Sequence, residues 1–203
     1  MRTPSESEVR RLVREAVDRA LGPTPASGQP AAAAASPRAA ASPGSQAAPA
    51  PLAPRRVAIG SDHGGFALKE VLRRAIVEDL GWQVHDCGTH SEEAVDYPDF
   101  AAAVAREVAS GRSARGIVVD AAGIGSTMAA NKIAGVRCAL CHDDATVKNA
   151  REHNDANVLA LGAKVVHRGL ATRLVRLFLT TPFGGGRHER RVQKIMALER
   201  GAS

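Results

Sequence analysis

A chain of 203 residues, 44% of them hydrophobic, has room for one good-sized globular core and holds no apolar run long enough to span a membrane. The formal charge of +6 is uneven: residues 1–56 carry eight arginines against Glu6, Glu8, Glu15 and Asp18, and the remainder holds 19 basic and 17 acidic residues. With 3% aromatic residues and no basic stripe, nucleic acid is disfavoured as a partner, and Cys87, Cys138 and Cys141, an odd set without metal-ligand spacing, suit a reducing cytoplasm.

Ser5 and Glu8 have capping-box spacing, and Val9, Leu12, Val13, Ala16, Val17, Ala20 and Leu21 follow at helical intervals until Gly22-Pro23 ends the pattern. Residues 1–22 therefore read as a short amphipathic helix. Residues 23–54 are dominated by Ala, Pro, Ser and Gly with one charge, Arg38; they cannot bury a core and read as a disordered, flexible linker. A detached helix of about four turns is marginal in water without a second apolar surface. It is expected to dock elsewhere, with residues 5–21 as the contact, or else to fold back on its own domain. A mitochondrial presequence fits less well, because such segments are poor in acidic residues. The helix–linker–enzyme layout resembles the encapsulation peptides that recruit enzymes into bacterial microcompartments, which implies a shell protein as partner and the microcompartment lumen, within the cytoplasm, as location.

Residues 55–203 alternate apolar strands with helical segments: Arg56–Gly60, Gly65–Leu80, Gln83–Asp86, Phe100–Ser110, Gly116–Asp120, Ser126–Lys132, Val136–Leu140, Ala145–Glu152, Val158–Gly162 and Gly169–Leu179. This rhythm predicts an α/β domain with a parallel sheet covered on both faces and ligand groups at the carboxyl ends of the strands. A last helical segment, Glu189–Glu199, is expected to leave the body of the sheet and pack on a partner subunit.

Polar clusters flank the strands: Asp62-His63-Gly64-Gly65 after the first, Asp120 through Gly125 after the third, and His153-Asn154 ahead of the fifth. The shared topology is expected to gather them at one edge. In Val118-Val119-Asp120-Ala121-Ala122-Gly123-Ile124-Gly125-Ser126, an apolar strand runs into a glycine turn whose N–H groups favour an anion, with a carboxylate at its mouth. Asp120 there is either a chemical group or simply a cap of the following turn. His63 and His153 are each open to a surface role, although two histidines facing a glycine turn and a carboxylate suggest a site. Arg187 and Arg191, four residues apart, would share a helix face and suit a phosphate dianion; the alternative is a solvated basic helix start.

The motifs Gly60-Ser61-Asp62-His63-Gly64-Gly65-Phe66-Ala67-Leu68-Lys69, Asp96-Tyr97-Pro98, Gly123-Ile124-Gly125, Ala129-Ala130-Asn131-Lys132, Arg151-Glu152-His153-Asn154-Asp155-Ala156-Asn157-Val158-Leu159-Ala160 and Gly186-Arg187-His188 occur in one order over about residues 56–199. Together they resemble type B ribose-5-phosphate isomerases and the related galactose-6-phosphate isomerase subunits. The resemblance implies a Rossmann-like three-layer sandwich with a five-stranded parallel sheet. It also implies a homodimer or tetramer whose sites combine residues of two subunits, no cofactor, no metal, and aldose–ketose isomerisation of a phosphosugar through an enediolate. By the same resemblance His153 would assist ring opening, and Asp62 would contact sugar hydroxyls. Gly123, Gly125 and Asn154 would stabilise the enediolate oxygen; His63, Arg187 and Arg191 would hold the phosphate, with Lys164 near a family phosphate-binding arginine and Tyr97 beside the substrate.

This chain departs from the family pattern at the reacting end. Where many members carry a cysteine base it has Asp120; where they carry threonine or serine it has Ala122; and where another branch places glutamate it has Ser126. Asp120 is then the carboxylate left to act as base. The competing reading is a non-catalytic or partner-dependent sugar-phosphate-binding subunit. A nucleotide-binding sensor is disfavoured, because the turn lacks GxGxxG spacing and a lysine-serine P-loop ending.

Overall fold

The computed structural model describes residues 55–199 together with Ser5, Glu8, Arg11, Glu15 and Gly201. Glu8, Arg11 and Glu15 are helical, and the capping pair read from the spacing is formed: the Glu8 N–H donates to Ser5 Oγ at 3.3 Å and the Ser5 N–H to the Glu8 carboxylate at 2.8 Å. The Ser5 N–H and the Ser5 hydroxyl, which donates to the same carboxylate at 2.9 Å, hold the Glu8 carboxyl below its ordinary range. The apolar positions read for this helix, Val9 through Leu21, and the whole linker lie outside the described residues.

The domain runs β1 (Arg56–Ser61), α1 (Phe66–Leu80), β2 (Gln83–Asp86), α2 (Tyr97–Ala109), β3 (Arg115–Asp120), α3 (Ile124–Ala130), β4 (Cys138–Leu140), α4 (Asp144–Glu152), β5 (Val158–Gly162) and α5 (Arg168–Thr180). A 3-10 turn at Gly186–His188 then leads into α6 (Glu189–Leu198). All strand pairs are parallel and the order is β2-β1-β3-β5-β4, so β1, β3 and β5 are central.

The two-residue period of a strand divides the core between the two faces. Val57, Ile59, Ile117, Val119, Leu159 and Leu161 point to a cluster closed by Leu68, Leu72 and Ile76 of α1, Val147 of α4, and Leu174 and Phe178 of α5. Ala58, Val118, Val158 and Ala160 point the other way, against Ala101, Val104, Ala105 and Val108 of α2 and Ala130 of α3. Small residues on this second face let α2 lie close: a Cβ on Gly60 or Gly116 would sit 2.8 Å from a Val104 methyl. The result is the expected three-layer sandwich.

Three elements differ from the sequence reading by two residues or more at an end, and most others by one. Helix α2 starts at Tyr97 rather than Phe100, because Pro98 falls in the first turn, where its missing N–H costs nothing. Helix α3 starts at Ile124 rather than Ser126, directly after Gly123 at φ +81°, and ends at Ala130. Strand β4 is cut to Cys138–Leu140, because the Val136 N–H is taken by the turn carbonyl of Ile133 and the Arg137 N–H by Asn157 Oδ1. Among the described residues no helix is long and apolar enough to cross a membrane.

Candidate active site

Two loops meet at the carboxyl ends of β1 and β3. After β1, the Asp62 N–H donates to the Val119 carbonyl at 3.2 Å, and Asp62 Oδ1 accepts from the Gly65 N–H at 2.8 Å. This turn rests on β3 so closely that a Cβ on Gly65 would lie 2.3 Å from the Val119 oxygen. Gly64 faces Ala121, whose Cβ would be 3.5 Å from a Cβ at that position, so the Asp62 and Asp120 loops are neighbours.

His63 is exposed, and its Nδ1 accepts from the Val95 N–H at 3.3 Å, leaving the ring proton on Nε2. That bond anchors the segment leading to Tyr97. The Tyr97 ring lies against Gly125, where a Cβ would meet Cζ at 2.5 Å, so no side chain is admitted there without moving the ring. From the other side the Lys164 N–H donates to the Ala121 carbonyl at 2.9 Å, and the Ala163 N–H to the Asp120 carbonyl at 2.8 Å. Asp62, His63, Tyr97, Asp120, Gly123, Gly125 and Lys164 therefore collect at one end of the sheet.

Asp120, 5% exposed, is held by its own loop. Oδ1 accepts from the N–H groups of Ala122, at 2.8 Å, and Gly123, while Oδ2 accepts from the Ser126 N–H at 3.0 Å. Burial alone would lift its carboxyl, but the Ser126 hydroxyl and the N–H groups of Gly123, Ser126 and Ala122 outweigh it and hold the group below the ordinary aspartate value. The anion-favouring turn inferred from the glycines is filled by this carboxylate, and Ser126, six residues on, is the partner that sequence spacing does not single out.

His153 and Asn154 stand elsewhere, which corrects the expectation of a single edge. They follow α4 and precede β5, and in a parallel sheet a segment ahead of a strand lies at its amino end. Asp120 pairs with Gly162, the last residue of β5, so the length of that strand, roughly 16 Å at about 3.3 Å per residue, separates the two groups along the sheet. At the amino end His153 stacks on His188, with ring centroids 4.2 Å apart and planes 5° from parallel. Burial, His153, Arg187 and Arg191 together hold His188 below the ordinary histidine value. Arg187 lies in the 3-10 turn and Arg191 in α6, both exposed, and Gly184 is tied to this end by its N–H bond to the Glu152 carbonyl at 2.9 Å.

Beside this cluster a groove of about 610 Å³ runs along edge strand β4, lined by Cys138, Leu140, Thr146, Asn149, Asn154 and Ile195 among others. Ile195 and Leu198 of α6 are exposed, 44% and 75%. None of the cysteines supplies a ready thiolate: burial pushes Cys87 and Cys141 up to about 11 and Cys138 up to about 12. Among the described residues no cluster of His, Cys, Asp and Glu could hold a metal ion.

These features have counterparts in known proteins. The model of the Ribose/Galactose Isomerase family matches residues 57–195. The putative sugar phosphate isomerase YwlF of Bacillus subtilis is 45% identical over 150 residues, covering 71% of this chain and 97% of that protein. Ribose-5-phosphate isomerase B of Escherichia coli is 43% identical over 145 residues, again 71% of this chain and 97% of the relative. The solved structure of Clostridium thermocellum ribose-5-phosphate isomerase B superposes with a TM-score of 0.70 at 47% identity, over 73% of this chain and 99% of the other. The order of motifs, the parallel sheet and the extent of these matches agree, and the chain belongs to the ribose/galactose isomerase family.

Proposed function

We propose that this chain is an aldose–ketose isomerase that interconverts ribose 5-phosphate and ribulose 5-phosphate, or a close four- to six-carbon analogue, with Asp120 as the base. The observation that carries this reading is the carboxylate held over a glycine turn at the end of β3, beside Asp62 and Tyr97, in a member of this family. Asp120 takes the proton from the carbon next to the carbonyl, the enediolate forms, and the proton returns to the neighbouring carbon. Because its hydrogen bonds hold it ionised, Asp120 is ready at neutral pH but is a weak base, and since it already takes the Gly123 N–H, stabilisation of the enediolate oxygen by Gly125 and the main chain at Asn154 must supply more of the barrier reduction. Asp62 orients sugar hydroxyls, His153 assists ring opening, Tyr97 borders the substrate, and His63, Lys164, Arg187 and Arg191 take the phosphate.

The separation of Asp120 from His153 supports a site shared between two copies, each giving its carboxyl-end loops to one site and its His153, Asn154, Arg187 and Arg191 to the other. A homodimer is the smallest assembly that does this. The exposed Ile195 and Leu198 of α6 and the groove on β4 suit such a contact.

One observation favours a second reading: a carboxylate saturated by its own loop has few lone pairs left for a carbon acid, as in a subunit that binds phosphosugar but depends on a partner for turnover. Proton NMR in deuterated water with ribose 5-phosphate and other phosphosugars separates the two. Deuterium appearing beside the carbonyl, and lost in Asp120→Asn, is expected. Binding without exchange across the panel would refute the isomerase reading.

The capped helix start at Ser5 and Glu8 supports a docking role for residues 5–21 on a microcompartment shell protein. Residues 1–54 fused to a fluorescent protein should gather in foci when shell proteins are co-expressed; diffuse fluorescence would count against it.

A further inference from the structure

The turn after α4 carries a chain of amide contacts whose direction can be worked out from the one group in it that has no choice. Asn154 Nδ2 lies 3.1 Å from the main-chain carbonyl of Asn149 and 2.9 Å from Asn149 Oδ1. A carbonyl can only accept, so the atom facing it is the Asn154 amide nitrogen and not its oxygen. That nitrogen then donates its second hydrogen to Asn149, which fixes the Asn149 oxygen on the Asn154 side. The Asn149 amide nitrogen is thereby turned to His153 Nδ1, 3.0 Å away. A hydrogen on Nδ1 would face the amide hydrogens, so Nδ1 accepts and the ring proton stands on Nε2. The flat contact with His188, 4.2 Å between centroids, restrains the ring plane while leaving the Nε2 edge unobstructed by the stack.

We infer that Asn149 is a positioning residue that sets His153 as a hydrogen-bond donor through Nε2, and so assigns it to the ring oxygen of the sugar rather than to the hydroxyl on C1. The inference rests on the isomerase reading for its chemical meaning, though not for the tautomer itself. In ring opening the bond from C1 to the ring oxygen breaks and its electron pair goes to that oxygen. C1 and O1 form the carbonyl, the proton that O1 releases to water is matched by one returned from water to the departing oxygen, and His153 Nε2–H stabilises the charge on that oxygen meanwhile. With the opposite tautomer Nε2 would present a lone pair to an oxygen gaining negative charge, which is repulsive.

The test uses the full chain labelled with 15N-histidine, the His153 signals being those absent from His153→Gln. Nε2 of His153 is expected to carry the proton in the unaltered protein; Asn149→Asp, whose carboxylate can only accept, should move it to Nδ1, and Asn149→Leu should leave a mixture. A bare Nε2 in the unaltered protein, or an unchanged tautomer in Asn149→Asp, overturns the assignment. In turnover, Asn149→Asp should lower kcat/KM on ribose 5-phosphate by about 10²-fold. It should spare erythrose 4-phosphate, whose 4-hydroxyl is esterified and cannot close a furanose. Equal losses on both sugars would refute a role in ring opening. If neither sugar turns over in the unaltered protein, the isomerase reading fails while the NMR result still decides the tautomer.

Discussion

Replacing Asp120 by asparagine keeps the side-chain shape and removes half of what the loop asks of it. The carboxylate accepts from Ala122 and Gly123 at one oxygen and from Ser126 at the other. An amide can serve the first pair with its oxygen, but its nitrogen then faces the N–H of Ser126, a residue 2% exposed, which is left without an acceptor. A hydrogen bond to a charged acceptor contributes about 1.5–3 kcal/mol and an orphaned buried donor costs about 1–3 kcal/mol, so with partial overlap Asp120→Asn should destabilise the domain by about 2–4 kcal/mol near neutral pH. Because folding depresses the Asp120 carboxyl, its contribution is fully present above the unfolded value, near 3.8, and is lost as pH falls through the folded value. The stability gap between native and variant proteins in urea unfolding should therefore be constant from about pH 8 to pH 5 and shrink below about pH 4. Turnover should fall by about 10²–10⁴-fold, the usual contribution of a general base, with substrate binding little changed. A variant as stable as the native chain at pH 7, or one with full turnover, would refute the account of this loop.

Mixing two inactive variants, Asp120→Asn and His153→Gln, should restore about a quarter of native activity after subunit exchange, since half the dimers are mixed and one site in each is intact; no recovery would place both groups of each site in one chain. Gly125→Ala should fold normally, because the Tyr97 ring it strikes is 40% exposed and can swing away, yet lose roughly 10- to 100-fold in kcat/KM as that ring leaves the loop. Gly65→Ala meets main chain instead, 2.3 Å from the Val119 oxygen, and should cost about 1–3 kcal/mol in urea unfolding. Fully buried Lys69 bonds both Asp86 oxygens, at 2.8 and 2.6 Å; Lys69→Met should destabilise by about 3 kcal/mol, and adding Asp86→Asn should recover part of that loss.

Much of the fold is written locally. The alternation of apolar strands with helical segments, the small residues facing α2, and the glycines at 65, 123 and 125 need only near neighbours in the chain to express them, and the described part of the domain follows that reading apart from a few residues at element ends. The motifs that carry the family likeness are contiguous for the same reason: each is a strand end and the turn behind it, held by bonds such as Gly65 to Asp62 and Ser126 to Asp120.

Relations between those turns are not local, and the tertiary structure alone decided them. Whether His153 shares an end of the sheet with Asp120 depends on strand direction: in an all-parallel sheet residues before a strand and residues after one are parted by its length, so the two groups stand apart in one chain. The state of Asp120 is likewise set by a balance between burial and four donors that spacing does not report. The direction of the Asn154–Asn149–His153 contacts follows from a single carbonyl that only the folded turn brings within reach. Sequence by itself determined which elements form and in what order the chemical groups come; their distances, hydrogen-bond partners and protons were fixed when the strands paired, because those depend on atoms far apart in the chain.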